Sequence, residues 1–115
     1  MQKGKKEAEV LKECLFLLKR KGIFCWRQNT GAFETKNGGF FRSSIAGVSD
    51  ILGILPDGRF LAVECKRESG GVVSEKQKQF IANIKACGGV AVVVHSGKEL
   101  SDYLGEICRQ KTKTR

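Results

Sequence analysis

The stretch Gly47-Val48-Ser49-Asp50-Ile51-Leu52-Gly53-Ile54-Leu55-Pro56-Asp57-Gly58-Arg59-Phe60-Leu61-Ala62-Val63-Glu64-Cys65-Lys66 decides the fold. Two apolar β-type runs flank Pro56-Asp57-Gly58, which is strong turn chemistry, so the stretch predicts a β-hairpin with its tip there. Counting outward symmetrically from Asp57 sets Asp50 directly opposite Glu64. Opposed residues project to one face with Cβ atoms roughly 4.5–5.5 Å apart, close enough for two carboxylates to share one ion at about 2.0–2.6 Å from each oxygen. Alternation carries Lys66 to the same face and sends Leu61, Val63 and Cys65 to the other. One hairpin thus has a chemical side and a core side. Ionised carboxylates among apolar side chains cost on the order of several kcal/mol unless paired, hydrogen-bonded or bound to a cation. A divalent metal is the expected partner of Asp50 and Glu64.

Upstream, residues from about Glu7 to Arg20 carry Val10, Leu11, Cys14, Leu15, Leu17 and Leu18 at helical intervals, with Gly22 as a stop. Ile23-Phe24-Cys25-Trp26-Arg27 reads as a short strand. Ala32–Thr35 and Phe40–Arg42 flank Asn37-Gly38-Gly39 and read as a loose hairpin or loop near the site. Downstream, Arg67 to Gly71 is expected as a flexible connection, and Ser74-Glu75-Lys76-Gln77 is a capping box opening a helix that ends near Cys87-Gly88. Phe80, Ile81 and Ile84 are its buried stripe, with Lys76, Lys78 and Lys85 outward. The run Val90-Ala91-Val92-Val93-Val94-His95 reads as continuously apolar and predicts a central strand over 90–95 covered on both faces, parallel to the strand over residues 59–66 in a right-handed βαβ unit. Ser96-Gly97-Lys98-Glu99 opens a closing helix with Leu100, Tyr103, Leu104, Ile107 and Cys108 expected inward. These elements predict an α/β fold, a mixed central sheet flanked by helices.

The length, 115 residues, is that of one domain with a single core, and the basic stretch 111–115 reads as a flexible tail. Against 12 acidic residues stand 21 Lys and Arg, a formal charge of +9 that favours a polyanionic partner. Five cysteines form no Cys-x-x-Cys pair, which suits buried free thiols in a reducing compartment, and with His95 alone to help, a zinc site is disfavoured. No apolar run is long enough to span a bilayer and the charged amino terminus lacks a signal-peptide h-region, so a cytoplasmic protein without membrane association is expected.

Two acidic ligands with a lysine two residues after the second suit phosphodiester hydrolysis. A metal held by Asp50 and Glu64 polarises a phosphate oxygen and acidifies a bound water, and the Lys66 ammonium orients that water or stabilises transition-state charge. The backbone carbonyl of Cys65 is a candidate third ligand. Arg27 and Asn29 either contact phosphate or anchor the turn before Ala32, and Arg42 is a further candidate for nucleic-acid contact. His95, at a strand end, reads as structural.

Over nearly its whole length the chain resembles the virus-type replication-repair nuclease, or VRR-NUC, domain of the PD-(D/E)XK superfamily. The matching pieces are Glu7, Trp26-Arg27-Gln28-Asn29-Thr30-Gly31, Gly47-Val48-Ser49-Asp50-Ile51, Val63-Glu64-Cys65-Lys66, Ser74-Glu75-Lys76-Gln77 and Gly88-Gly89-Val90-Ala91-Val92-Val93. The departure is Ser49, where members commonly carry a proline that ligates nothing. The resemblance implies a restriction-endonuclease-like fold and a Mg²⁺- or Mn²⁺-dependent endodeoxyribonuclease. Its catalytic residues would be Asp50, Glu64, Lys66 and Gln77, with Glu7, or its neighbour Glu9, adding to the metal site. Gln77 has an equally good structural role as partner of Ser74 in the capping box. It also implies a homodimer acting on branched DNA such as Holliday junctions, in viral, phage or bacterial replication and repair. The rival readings are a catalytically weak or inactive protein that binds structured nucleic acid on the same fold, and an RNA-directed nuclease.

Overall fold

The computed structural model describes residues 4–28, 32–34, 40–42 and 45–113, with 32–34, 40–42 and 108–113 as backbone alone. The first helix, α1 (Glu7–Arg20), buries Val10, Leu11, Cys14 and Leu18, one stripe at helical spacing. Its amino end is closed by Glu9, whose Oε1 accepts the Lys6 amide at 2.9 Å. At its carboxyl end the Ile23 amide reaches back to the Leu18 carbonyl at 3.0 Å, and Ile23 and Leu18 share the core, the hydrophobic contact that accompanies such a helix stop.

The sheet holds β1 (Phe24–Arg27), β4 (Ile51–Ile54), β5 (Phe60–Cys65) and β6 (Val90–Val94) in the order β1-β4-β5-β6. The first three are antiparallel and β6 runs parallel to β5, so the sheet is mixed. A separate antiparallel pair, β2 (Ala32–Glu34) and β3 (Phe40–Arg42), forms the expected upstream hairpin; its turn at Asn37-Gly38-Gly39 lies outside the described residues. The β4–β5 register pairs Ile51 with Val63 and Ile54 with Phe60, which is the symmetry about Asp57 read from the sequence. At the tip, Asp57 Oδ1 accepts the Arg59 amide at 3.0 Å, and the Leu55 amide donates to the Arg59 carbonyl at 2.8 Å.

On one face of the sheet α1 and α3 (Gly97–Lys113) bury the main core, with Leu18, Ile51, Leu61, Val63, Cys65, Val94 and Leu100 fully enclosed. Glu13 of α1 ties the two helices together by accepting the Gly97 amide through Oε1 at 2.6 Å. On the other face α2 (Glu75–Ala86) covers a smaller cluster, Val48, Leu52, Ala62 and Ala91, with Phe80, Ile81 and Ile84. No residue of α2 is itself fully buried, so this layer is thin.

Four expectations change. Val90–Val94 stands at the edge of the four-stranded sheet rather than at its centre; α2 and α3 still pack on both its faces, which accounts for the unbroken apolar run. Tyr103 is 37% exposed, because the buried stripe of α3 runs through Leu100 and Leu104 one helical turn apart and turns Tyr103 to its margin. Cys87 is exposed at the end of α2, while Cys14, Cys25 and Cys65 are the expected buried free thiols and the Cys108 side chain lies outside the described residues. The backbone of α3 continues as helix to Lys113, into the basic stretch read as a tail.

Gly47 lies where the approach to β4 meets the start of α2. Its φ is +79°, and a Cβ there would lie 2.3 Å from the Lys76 carbonyl oxygen and 2.8 Å from the Gln77 nitrogen. The segment before β4 therefore lies directly against the first turn of α2. Replacing Gly47 with Ala imposes left-handed strain of about 1–3 kcal/mol in addition to a backbone clash. We expect Gly47→Ala to lower the melting temperature by about 5 °C or more; an unchanged transition would show that the two segments do not touch.

Candidate active site

The site forms where β4 begins and β5 ends. Asp50 immediately precedes β4, whose register carries it opposite Glu64, and its Oδ2 accepts the Cys65 amide at 2.9 Å. The Gln28 amide donates to the Asp50 carbonyl at 2.8 Å, extending the β1–β4 pairing to this position. Glu64 and Lys66 are 1% and 7% exposed, an acid and a base both inside the protein. Lys66 Nζ lies 3.5 Å from Glu64 Oε2.

Gln77 joins them. Its Nε2 donates to Glu64 Oε2 at 2.8 Å and its Oε1 accepts Lys66 Nζ at 3.1 Å. The same Oε1 accepts the Ser74 amide at 2.9 Å, while Ser74 Oγ accepts the Gln77 amide at 3.1 Å. The capping box and the contact with the acid–base pair are thus one arrangement. An amide suits this place, since it donates to the carboxylate and accepts from the ammonium at once.

Glu64 is the pressured group. Burial, and after it the Asp50 carboxylate alongside, push its pKa up from 4.5 to about 8, against the opposing pull of Lys66. Its Oε1 is buried with no hydrogen-bond partner among the described residues, and so is Ser49 Oγ at the position where the family commonly has proline. An unpaired oxygen on a buried acid beside a second carboxylate is a place that would fit a cation. The amide of Cys65 is turned to β4, and in an extended strand the carbonyl of a residue points to the same side as its amide, which directs that of Cys65 toward Asp50.

The other sequence candidates stand apart. Glu7 is exposed on the first turn of α1, and the Glu9 carboxylate is occupied by the Lys6 amide. Among the described residues no group of three or more Asp, Glu, His or Cys side chains gathers in one place, so Asp50 and Glu64 stand as a pair. The start of α1 nevertheless lies at this end of the sheet, since Lys5 and Glu68 exchange hydrogen bonds at 3.0 Å. Arg27 is exposed on β1; Asn29 and the Arg42 side chain lie outside the described residues. His95 is held structurally, its Nδ1 3.0 Å from Glu99 Oε1, which also accepts the His95 amide at 2.7 Å.

Sequence reasoning missed Gly71, placed in a flexible connection. A Cβ there would meet Lys66 Cβ at 2.7 Å and Cγ at 3.3 Å, so the chain folds back onto the lysine stem and holds it in place. Two consecutive glycines just beyond a buried lysine were the available signal.

The family model for the VRR-NUC domain matches residues 5–98, which takes in every element that builds this site. The chain belongs to the VRR-NUC family. VRR-NUC domains are nucleases of the PD-(D/E)XK type, a class that typically uses divalent metals and acts on DNA. The match supports both the membership and the α/β, restriction-endonuclease-like architecture read from the sequence. A search of curated proteins finds no match to the chain. Among the described residues no helix of this VRR-NUC domain is long and apolar enough to cross a membrane.

The raised pKa of Glu64 makes stability depend on pH. Folded, the carboxyl holds its proton up to about pH 8; unfolded, it releases it near 4.5. Between those values the folded state binds more protons, so the stabilising contribution is full below about 4.5 and is lost as pH rises toward 8. In EDTA, Glu64→Gln should gain on the parent protein in thermal stability as pH is raised from 5 to about 8. A difference in melting temperature that stays constant with pH would contradict the assignment.

Proposed function

We propose that this VRR-NUC domain is a divalent-metal-dependent endodeoxyribonuclease acting on branched or otherwise structured DNA, with Asp50, Glu64, Lys66 and Gln77 as its catalytic set. One observation carries the reading: a buried glutamate with an unpaired oxygen lies opposite an aspartate and is linked to a buried lysine through one glutamine. The donor set is hard oxygen throughout, the Asp50 and Glu64 carboxylates with the Cys65 carbonyl, which suits Mg²⁺ or Mn²⁺ rather than zinc. When bound, the ion supplies Lewis acidity toward a phosphate oxygen and lowers the pKa of a coordinated water.

The protein's own groups have separable tasks. Asp50 and Glu64 hold the ion, with Glu7 as an outlying contributor if substrate draws the start of α1 inward. Lys66, held by Gln77 and Gly71, presents a fixed positive charge to the phosphate as negative charge builds on it, a contribution larger in a buried site than in water. Gln77 keeps Lys66 and Glu64 at a set separation and orients the acid. Arg27, Asn29 and Arg42 would attract the phosphate backbone, and exposed Lys76 and Lys78 on α2 add to the basic surround. Binding led by phosphates and shape is expected to carry little sequence specificity, there being no base-reading module in the chain. The proposed assembly is a two-fold homodimer, which would offer two such sites to two strands of a junction.

The test incubates the protein with labelled four-way, flap, splayed and linear DNA, with Mg²⁺, with Mn²⁺ and with EDTA, beside Asp50→Asn and Lys66→Ala. We expect metal-dependent cutting that favours branched substrates, a loss of at least about 100-fold for Asp50→Asn, and DNA binding retained by Lys66→Ala with most turnover gone. Cutting that persists undiminished in Asp50→Asn would sink the site. Tight binding without cutting of any substrate would favour a binding protein on a nuclease fold.

A further inference from the structure

The face of the sheet that carries Asp50 and Glu64 continues past them into apolar surface that α2 does not cover. Strand pairing sets Trp26 beside Leu52 and Ala62, and Phe24 beside Ile54 and Phe60, so both β1 aromatics project to the face of the site. The helix packs chiefly over β5 and β6. Phe24 is 68% exposed, Ile54 41% and Trp26 36%. The Trp26 indole is anchored by its polar end, Nε1 donating to Gln28 Oε1 at 3.0 Å, and its ring meets that of Phe24 at 5.6 Å between centroids. Gln28 is the residue whose amide pairs with Asp50. Trp26 is two residues from it along β1, about 6.6 Å at about 3.3 Å per residue. At about 3.4 Å per stacked nucleotide this separation spans one or two nucleotides of a DNA strand.

We infer that Phe24 and Trp26 form a stacking platform for unpaired bases lying one or two nucleotides from the bond cut at Asp50 and Glu64. The inference rests on the nuclease reading and deepens it: the preferred DNA carries a single-stranded segment beside the cleaved phosphate. Two features favour nucleic acid over a second copy of the chain as occupant. The protein's formal charge is +9 and exposed Lys76 and Lys78 stand on α2, the helix that covers the rest of this face, so a polyanionic occupant is favoured. Among the described residues the three exposed apolar side chains of this patch also fall far short of the roughly 20 residues a side that a stable protein interface employs. Exposed flat rings on a cationic protein are what unpaired bases stack on, in a sequence-tolerant way.

Trp26 is the single tryptophan of the chain, so its emission reports on the platform directly. The intact protein in EDTA is titrated with an oligothymidylate and with a blunt duplex of equal length. We expect saturable quenching by the single strand in the parent protein and, from the anisotropy of dye-labelled DNA, single-strand affinity weakened roughly tenfold in Trp26→Ala and in Phe24→Ala, restoration in Trp26→Phe, and duplex affinity changed less than about twofold. Phe24 is exposed enough for its truncation to leave the fold intact. Unquenched emission with unchanged affinities would overturn the platform, as would emission that shifts with protein concentration alone, the mark of a second copy. Asp50→Asn separates the two readings. Failure of the platform beside metal-dependent cutting that Asp50→Asn abolishes removes the platform alone; quenching without any metal-dependent cutting removes the nuclease reading alone.

Discussion

Glu64 sits at the end of an apolar strand, 1% exposed, and the rest of the site answers the problem that this creates. A buried carboxylate loses hydration worth on the order of several kcal/mol, and the protein offsets that loss from two directions. Lys66 supplies an opposite charge and Gln77 a hydrogen-bond donor, while Oε1 is left unpaired, a place that would suit a cation. The Asp50 carboxylate works against the arrangement, since a second negative charge nearby drives Glu64 toward its neutral form. On the proposed reading, a divalent ion held by both carboxylates would turn that repulsion into shared ligation.

The fold brings these groups together from three segments. The hairpin register sets Asp50 against Glu64, Gly47 lets the approach to β4 touch the first turn of α2, and that turn delivers Gln77. Gln77 closes its own helix and bridges the acid to the base with one amide group, so the order of the site and the start of α2 are the same property. The helix packs through partly buried side chains alone, while α1 on the opposite face is anchored by fully enclosed ones. The thin layer leaves α2 the easier element to displace, at the face where substrate would lie.

Much of this was legible in the sequence because short-range rules governed it. The turn at Pro56-Asp57-Gly58 and two-residue alternation were sufficient to oppose Asp50 and Glu64, and the capping box located Gln77 to the residue. What escaped depends on approach between distant segments. Gly47 against Lys76 and Gly71 against Lys66 are contacts between chain segments that no local pattern encodes. The edge position of β6 escaped because an apolar run reports that both faces are covered and is silent about the strand's sides. The open aromatics of β1 escaped because Phe24 and Trp26 alternate like any half-buried strand until the extent of α2 is known.

Whether Asp50 and Glu64 serve one ion is tested most directly by binding of Mn²⁺. Electron paramagnetic resonance of free Mn²⁺ at pH 8, without DNA, would be followed for the parent protein, Asp50→Asn, Glu64→Gln and the double variant. One site per chain is predicted, lost by either single substitution, with the double variant no weaker than the singles. Single variants that each retain the ion near parental affinity, or losses that add independently, would contradict a shared site.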